Sequence, residues 1–176
     1  MPIIAKAGGG GFVPCPPGQH AAVCCDVVDM GVLEVTYGGK TKKQHKIRIV
    51  WQIEEVMGDN RPYIAQKRYT LSLHKKSGLR ADLESWRGRP FTDAELQGFD
   101  VENVLGIPAL LNVQQVVKDG ETYSNVISLM KLPKGMTVLS VRDYVRVVDR
   151  DPAQQQQGDA AEPPPFGEMD DSEVPF

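Results

Sequence analysis

The sequence predicts a mainly-β domain: a five-stranded barrel with short helices inserted between its third and fourth strands. Three observations carry this expectation. Apolar and polar residues alternate over two central segments. A three-to-four-residue apolar period replaces the alternation only between residues 77 and 98, and an Asp-Gly hairpin signal joins two further apolar segments near residue 119.

The first strand is expected from Gln19 to Met30, "QHAAVCCDVVDM", and "YGGKTKK" then turns through Gly38 and Gly39. In "HKIRIVWQI", Ile47, Ile49, Trp51 and Ile53 fall on one face and Lys46, Arg48, Val50 and Gln52 on the other, as in a half-buried strand. "MGDNRP" turns again, and "YIAQKRYTLSL" repeats the pattern, with Tyr69, Leu71 and Leu73 opposed to Gln66, Arg68, Thr70 and Ser72. Leu79, Leu83 and Trp86 then share one face of a short helix capped by Ser77. Thr92 and Glu95 have the spacing of a capping box for a second helix, with Gly98 as its stop. "IPALLNVQQVV" and "TYSNVISLMKL" are the last two strands, joined by "KDGE", and Arg142 to Arg150 add a short final element. This order is that of the OB-fold, although other α+β layouts share it.

With 176 residues, the chain is expected to hold one domain, residues 19–148, between two appendages. Residues 1–18, with Gly8 to Gly11 and Pro14, Pro16 and Pro17, read as a Gly/Pro-rich arm. Residues 149–176, rich in Gln, Pro and carboxylates, read as a disordered acidic tail. No apolar run reaches the ~18 residues of a membrane span, and the N-terminus lacks a signal-peptide pattern. The odd set Cys15, Cys24 and Cys25, two of them adjacent, suits a reduced, cytoplasmic setting. With His20 they have no zinc-ligand spacing, and adjacent strand cysteines point to opposite faces, so apolar core is the expected role. "GGGGF" lacks the Lys-Ser/Thr of a phosphate loop, and His74 has no nucleophile beside it. No enzyme, metal or cofactor is expected.

The net charge of −3 conceals an asymmetry. Seven carboxylates and no Lys or Arg lie beyond residue 150, so the tail carries −7 and the preceding residues +4. A basic body with an acidic tail suits nucleic-acid binding with the tail as an interaction segment. If the isoleucine faces are buried, Lys46, Arg48 and Arg68 point outward, approached by Lys40, Lys42, Lys43 and His45 and extended by Lys67, Lys75 and Lys76. Such a groove would follow a phosphodiester backbone, with a merely solvated strand face as the alternative. Tyr37, Tyr63 and Tyr123 are the stacking candidates, whereas Trp51 and Tyr69 share faces with core residues. Trp86 reads as a helix anchor, with Gly88 ending the helix and Arg87 and Arg89 satisfying its last carbonyls.

The segment "MDDSEVPF" resembles the acidic tip of bacterial single-stranded DNA-binding proteins, which close on aspartates and Ile-Pro-Phe. Asp170, Asp171 and Glu173 take the acidic places, and Val174, Pro175 and Phe176 follow, with Val for Ile. A Phe ring with a carboxylate fits an apolar pocket rimmed by Arg or Lys, while the aspartates steer encounter. "AVCCDVVDMG", "SLHKKSGLRADLESWRGRPFT" and "NVLGIPALLNVQ" are similar to a phage-encoded OB-fold single-stranded DNA-binding family, over about residues 19–135. The resemblance implies sequence-independent coating of single-stranded DNA in replication, recombination and repair, with partner proteins recruited through the tip. An RNA-binding module and an adaptor that binds only proteins are the alternatives, and a homodimer is compatible with the sequence.

Overall fold

Two tight turns set the register of four strands. Gly38 and Gly39 (φ 57 and 78) join β1 (Gly18–Tyr37) to β2 (Lys40–Val56). Asp119 and Gly120 (φ 53 and 78) join β4 (Pro108–Lys118) to β5 (Glu121–Met130). Positive φ at both central positions is the type I′ geometry, whose twist matches that of the flanking strands. The computed structural model describes residues 14–150, Asp59 excepted. The expectations about the first thirteen residues of the arm and about the acidic tail with its tip lie outside the described residues.

The strands form one antiparallel sheet in the order β3-β2-β1-β4-β5, with β3 at Pro62–Thr70. The helical elements fall between β3 and β4, as the sequence predicts: α1 (Gly78–Arg87), α2 (Asp93–Leu96) and a 3-10 turn at Val101–Val104. The five strands of the expected barrel are present, but the sheet is not closed. β3 and β5, the two edges, approach one another without a shared ladder, and α1 packs on both.

β1 also differs from its expected span, running seven residues past Met30 to Tyr37. The reason is a bulge between Asp29 and Gly31, where Gly31 adopts φ 75 and its N–H donates to Asp29 Oδ1 at 2.8 Å. The strand then resumes as a ribbon paired only with β2. Pairing with β4 covers Gly18 to Val23, and pairing of β2 with β3 starts at Lys46 opposite Thr70. β3 ends at Thr70, so Leu71 is exposed rather than sharing the face of Tyr69.

The core follows the predicted alternation. Ile47, Ile49, Trp51 and Ile53 of β2 meet Ala22 and Cys24 of β1, Leu111 and Val113 of β4, and Leu79, Leu83 and Trp86 of α1. The Trp51 and Trp86 rings lie 5.9 Å apart, and Trp86 Nε1 donates to the Pro108 carbonyl at 2.8 Å, fixing α1 to the start of β4. Ser77 caps α1, and Gly88 ends it in the left-handed conformation (φ 75). Arg87 does not serve the helix carbonyls as expected. It makes a two-pronged bond to Glu95 of α2 (2.7 and 3.0 Å) and lies over the Phe91 ring. Residues 14–17 belong to the body rather than to the arm. Cys15 is buried in the core, and its carbonyl accepts from Ser124 Oγ (2.7 Å) and Gln115 Nε2 (3.0 Å).

Glu95 is held below the usual carboxylate range first by Arg87, and Glu84 by Arg80 and then the Phe91 N–H. Carboxylates with lowered pKa favour the fold above their ordinary range and lose that contribution as pH falls through the folded-state value. The urea midpoint is therefore expected to fall between about pH 5 and about pH 2, and Glu95→Gln to shrink that fall. An unchanged pH dependence in the variant would contradict this role.

Candidate nucleic-acid interface

A strand's side chains alternate, so residues two apart share a face at a spacing of about 6.7 Å. On β2 the face opposite the isoleucines carries Lys40, Lys42, Gln44, Lys46, Arg48, Val50 and Gln52 in succession. The register with β3 sets Thr70 beside Lys46, Arg68 beside Arg48, Gln66 beside Val50 and Ile64 beside Gln52. Lys46 Nζ donates to Thr70 Oγ1 at 2.8 Å, and that hydroxyl donates to Gln44 Oε1 at 3.3 Å, which confirms the shared face. The result is a row of cations on one side of the β2–β3 pair, extended by Lys42 and Lys40 onto the ribbon. Tyr37, 48% exposed and paired with Lys40, stands at its far end.

Lys46 and Arg48 do point away from the isoleucines, but they are 4% exposed rather than open to solvent. They form the floor of the row, and Lys40, Lys42 and half-buried Arg68 are its accessible part.

Other sequence-predicted residues are dispersed. Lys43 projects from the opposite side of the ribbon, across from Glu34. Lys67 lies on the core-side face of β3, where its Nζ donates to Asp82 of α1 at 2.7 Å; the Tyr69 hydroxyl donates to the same oxygen at 2.7 Å. Tyr63 packs against the core from that side. Tyr123 sits on the β4–β5 hairpin, beyond the start of β1, whereas Tyr37 lies at the end of β1; its hydroxyl donates to Glu121 at 2.9 Å. Period-two alternation explains each displacement: Lys67 and Tyr63 have the parity of Ala65 and Tyr69, both buried. Lys75 and Lys76 are exposed in the turn that follows Thr70, at the root of the ribbon.

The short final element expected at Arg142 to Arg150 is present as a strap, whose contacts with the sheet were not expected. Residues 142–150 run along the outer face of β1 and β2, ending in a 3-10 turn at Val147–Asp149. Gln52 donates to the Arg142 carbonyl (2.6 Å) and accepts from its N–H (2.8 Å). Asp26, 1% exposed, accepts from Tyr144 OH (3.1 Å), Arg146 Nε (3.1 Å) and Val147 N (2.9 Å). The available signal was an Asp inside an otherwise apolar strand, because a buried carboxylate needs donors from somewhere.

The thiols are inert in this setting. Burial pushes Cys15 and Cys24 up to about 12, and Cys25 is raised further. Among the described residues no cluster of His, Cys, Asp and Glu could hold a metal ion, and no helix is long and apolar enough to cross a membrane. Comparison with known protein families finds no match, and a search of curated proteins finds no relative.

Because the thiolate is the reactive form, none of the three thiols is expected to be alkylated at about pH 8 in the folded protein, and all three in urea. Rapid native labelling of any one would contradict the burial described.

Proposed function

We propose that the chain binds single-stranded DNA without sequence preference, along the cationic row of β2 and β3. The observation that carries this reading is that Lys40, Lys42, Lys46 and Arg48 of β2, with Arg68 beside them on β3, share the one face turned away from the core. A polyanion lying along such a row is favoured because each phosphate contact releases condensed counterions. Lys42 and Lys40 continue the row at strand spacing, and Tyr37 offers a base-stacking surface.

In this reading the open five-stranded sheet, with its helices between β3 and β4, is an OB-type platform, and its outer face is the ligand face. The acidic segment with Asp170, Asp171, Glu173, Val174, Pro175 and Phe176 is a hook for replication, recombination and repair proteins. The charge split between the basic body and the acidic tail supports both assignments.

Trp51 and Trp86 are buried, so the readout is the anisotropy of a labelled oligo-dT rather than tryptophan quenching. Tight binding is expected at low salt, falling steeply with added salt, with much weaker binding of duplex. Lys42→Ala and Arg68→Ala should each weaken binding to all sequences alike and lower the salt slope by about 1. A matched RNA oligonucleotide bound more tightly would turn the assignment to RNA. Absence of binding to any single strand would overturn it.

A further inference from the structure

Past the bulge between Asp29 and Gly31, β1 and β2 continue as a ribbon whose outer face carries two unlike rows. Directly paired residues of an antiparallel ladder share a face, with Cβ atoms about 5 Å apart. The pairs on this face are Leu33–Gln44, Val35–Lys42 and Tyr37–Lys40. Its β2 side is therefore polar and cationic, whereas its β1 side is aliphatic and ends in a phenol ring. Leu33 is 37% exposed and Tyr37 48%, Val35 is half-buried, and Lys42 and Lys40 are exposed. Gly31, opposite Lys46, has no side chain, so the apolar row begins at Leu33. All of these residues lie beyond buried Lys46 and Arg48, on the part of the sheet that a ligand can reach.

Two parallel rows of this kind fit a ligand with charge along one edge and apolar surface along the other. A single nucleic-acid strand is built that way, with phosphates along its backbone and base faces to one side of it. In a duplex the base faces are stacked on one another, and the apolar row would have nothing to cover. Aliphatic surface left in water is unfavourable, and contact with a base removes it from water. Tyr37 alone would offer one base a platform. Leu33 and Val35 extend that platform along β1 in steps of about 7 Å.

We infer that Leu33 and Val35, with Tyr37, are the base-contacting row of the site, so that a bound strand lies along the ribbon with its phosphates towards β2 and its bases towards β1. This rests on the assignment of the cationic face to single-stranded DNA. The β2 row supplies affinity for any polyanion, and the β1 row supplies the preference for a strand whose bases are unpaired.

The test uses the full chain and two labelled strands of equal length: oligo-dT, and an abasic strand with the same phosphates and no bases. The wild type is expected to bind oligo-dT more tightly than the abasic strand, by roughly thirtyfold or more. Leu33→Ala and Tyr37→Ala are expected to weaken oligo-dT binding by about threefold and about tenfold. Their salt dependence should remain that of the wild type, because no phosphate contact is lost. Neither change should alter binding of the abasic strand. Val32→Ala is the control: Val32 is 63% exposed, but it pairs with His45 on the other face of the ribbon, so the variant should bind both strands as the wild type does. Equal affinity of the wild type for the two strands would overturn the proposal, as would Leu33→Ala and Tyr37→Ala variants that bind oligo-dT as the wild type does. A loss of the same size on both strands would overturn it too, since it would arise from the shape of the ribbon and not from contact with bases. So would a loss in Val32→Ala as large as that in Leu33→Ala. Failure of the wild type to bind either strand would instead refute the nucleic-acid assignment itself.

Discussion

The packing of β2 between two buried layers is the constraint on which the rest depends. From Lys46 to Ile53 no residue of this strand is open to solvent, yet its two faces are chemically opposite. On one, Ile47, Ile49, Trp51 and Ile53 bury apolar area against α1 and the neighbouring strands. On the other, Lys46, Arg48 and Gln52 are buried as polar groups, which is costly unless each is hydrogen-bonded or paired. A slip of one residue would turn Lys46 and Arg48 into the apolar core, so the register of β2 is strongly specified. The site inherits that rigidity: the row of cations lies where it does because the isoleucines cannot lie elsewhere.

The same logic explains the strap. A sheet face bearing Asp26 and Gln52 cannot be capped by apolar side chains alone, because both groups need partners. Residues 142–150 supply them with two backbone N–H groups, a backbone carbonyl, a phenol and a guanidinium. The outer face is thereby divided. Its Gln52–Asp26 end is covered by the strap, and the cations run from buried Arg48 and Lys46 to exposed Lys42 and Lys40 on the ribbon.

Much of this was legible in the sequence, because period-two alternation and turn chemistry act locally. The strand order, Ser77 and Thr92 as caps, Gly88 as a stop and the Asp119-Gly120 turn all follow from neighbours within a few residues. What was not legible depends on distant partners. Arg87 has a helix-capping position in sequence, but Glu95 and Phe91 offer it a stronger pairing. Lys67 looks like one more surface cation until α1 brings Asp82 to it. Cys15 falls in a proline-rich stretch, yet Ser124 and Gln115, 109 and 100 positions along, tie it into the core. The candidate site was half legible. Parity placed Lys46, Arg48 and Arg68 together, but the same parity, applied to Lys43, Lys67 and Tyr63, removes them from the row.

The most direct test of the central claim is a map of backbone amide shifts in the 15N-labelled protein on titration with oligo-dT. The account expects the largest changes along Lys40 to Arg48 and at Arg68 and Thr70, with Tyr37 at one end and the strap at the other. Changes confined to the β4–β5 hairpin and the Lys67–Asp82 side of the molecule would contradict it.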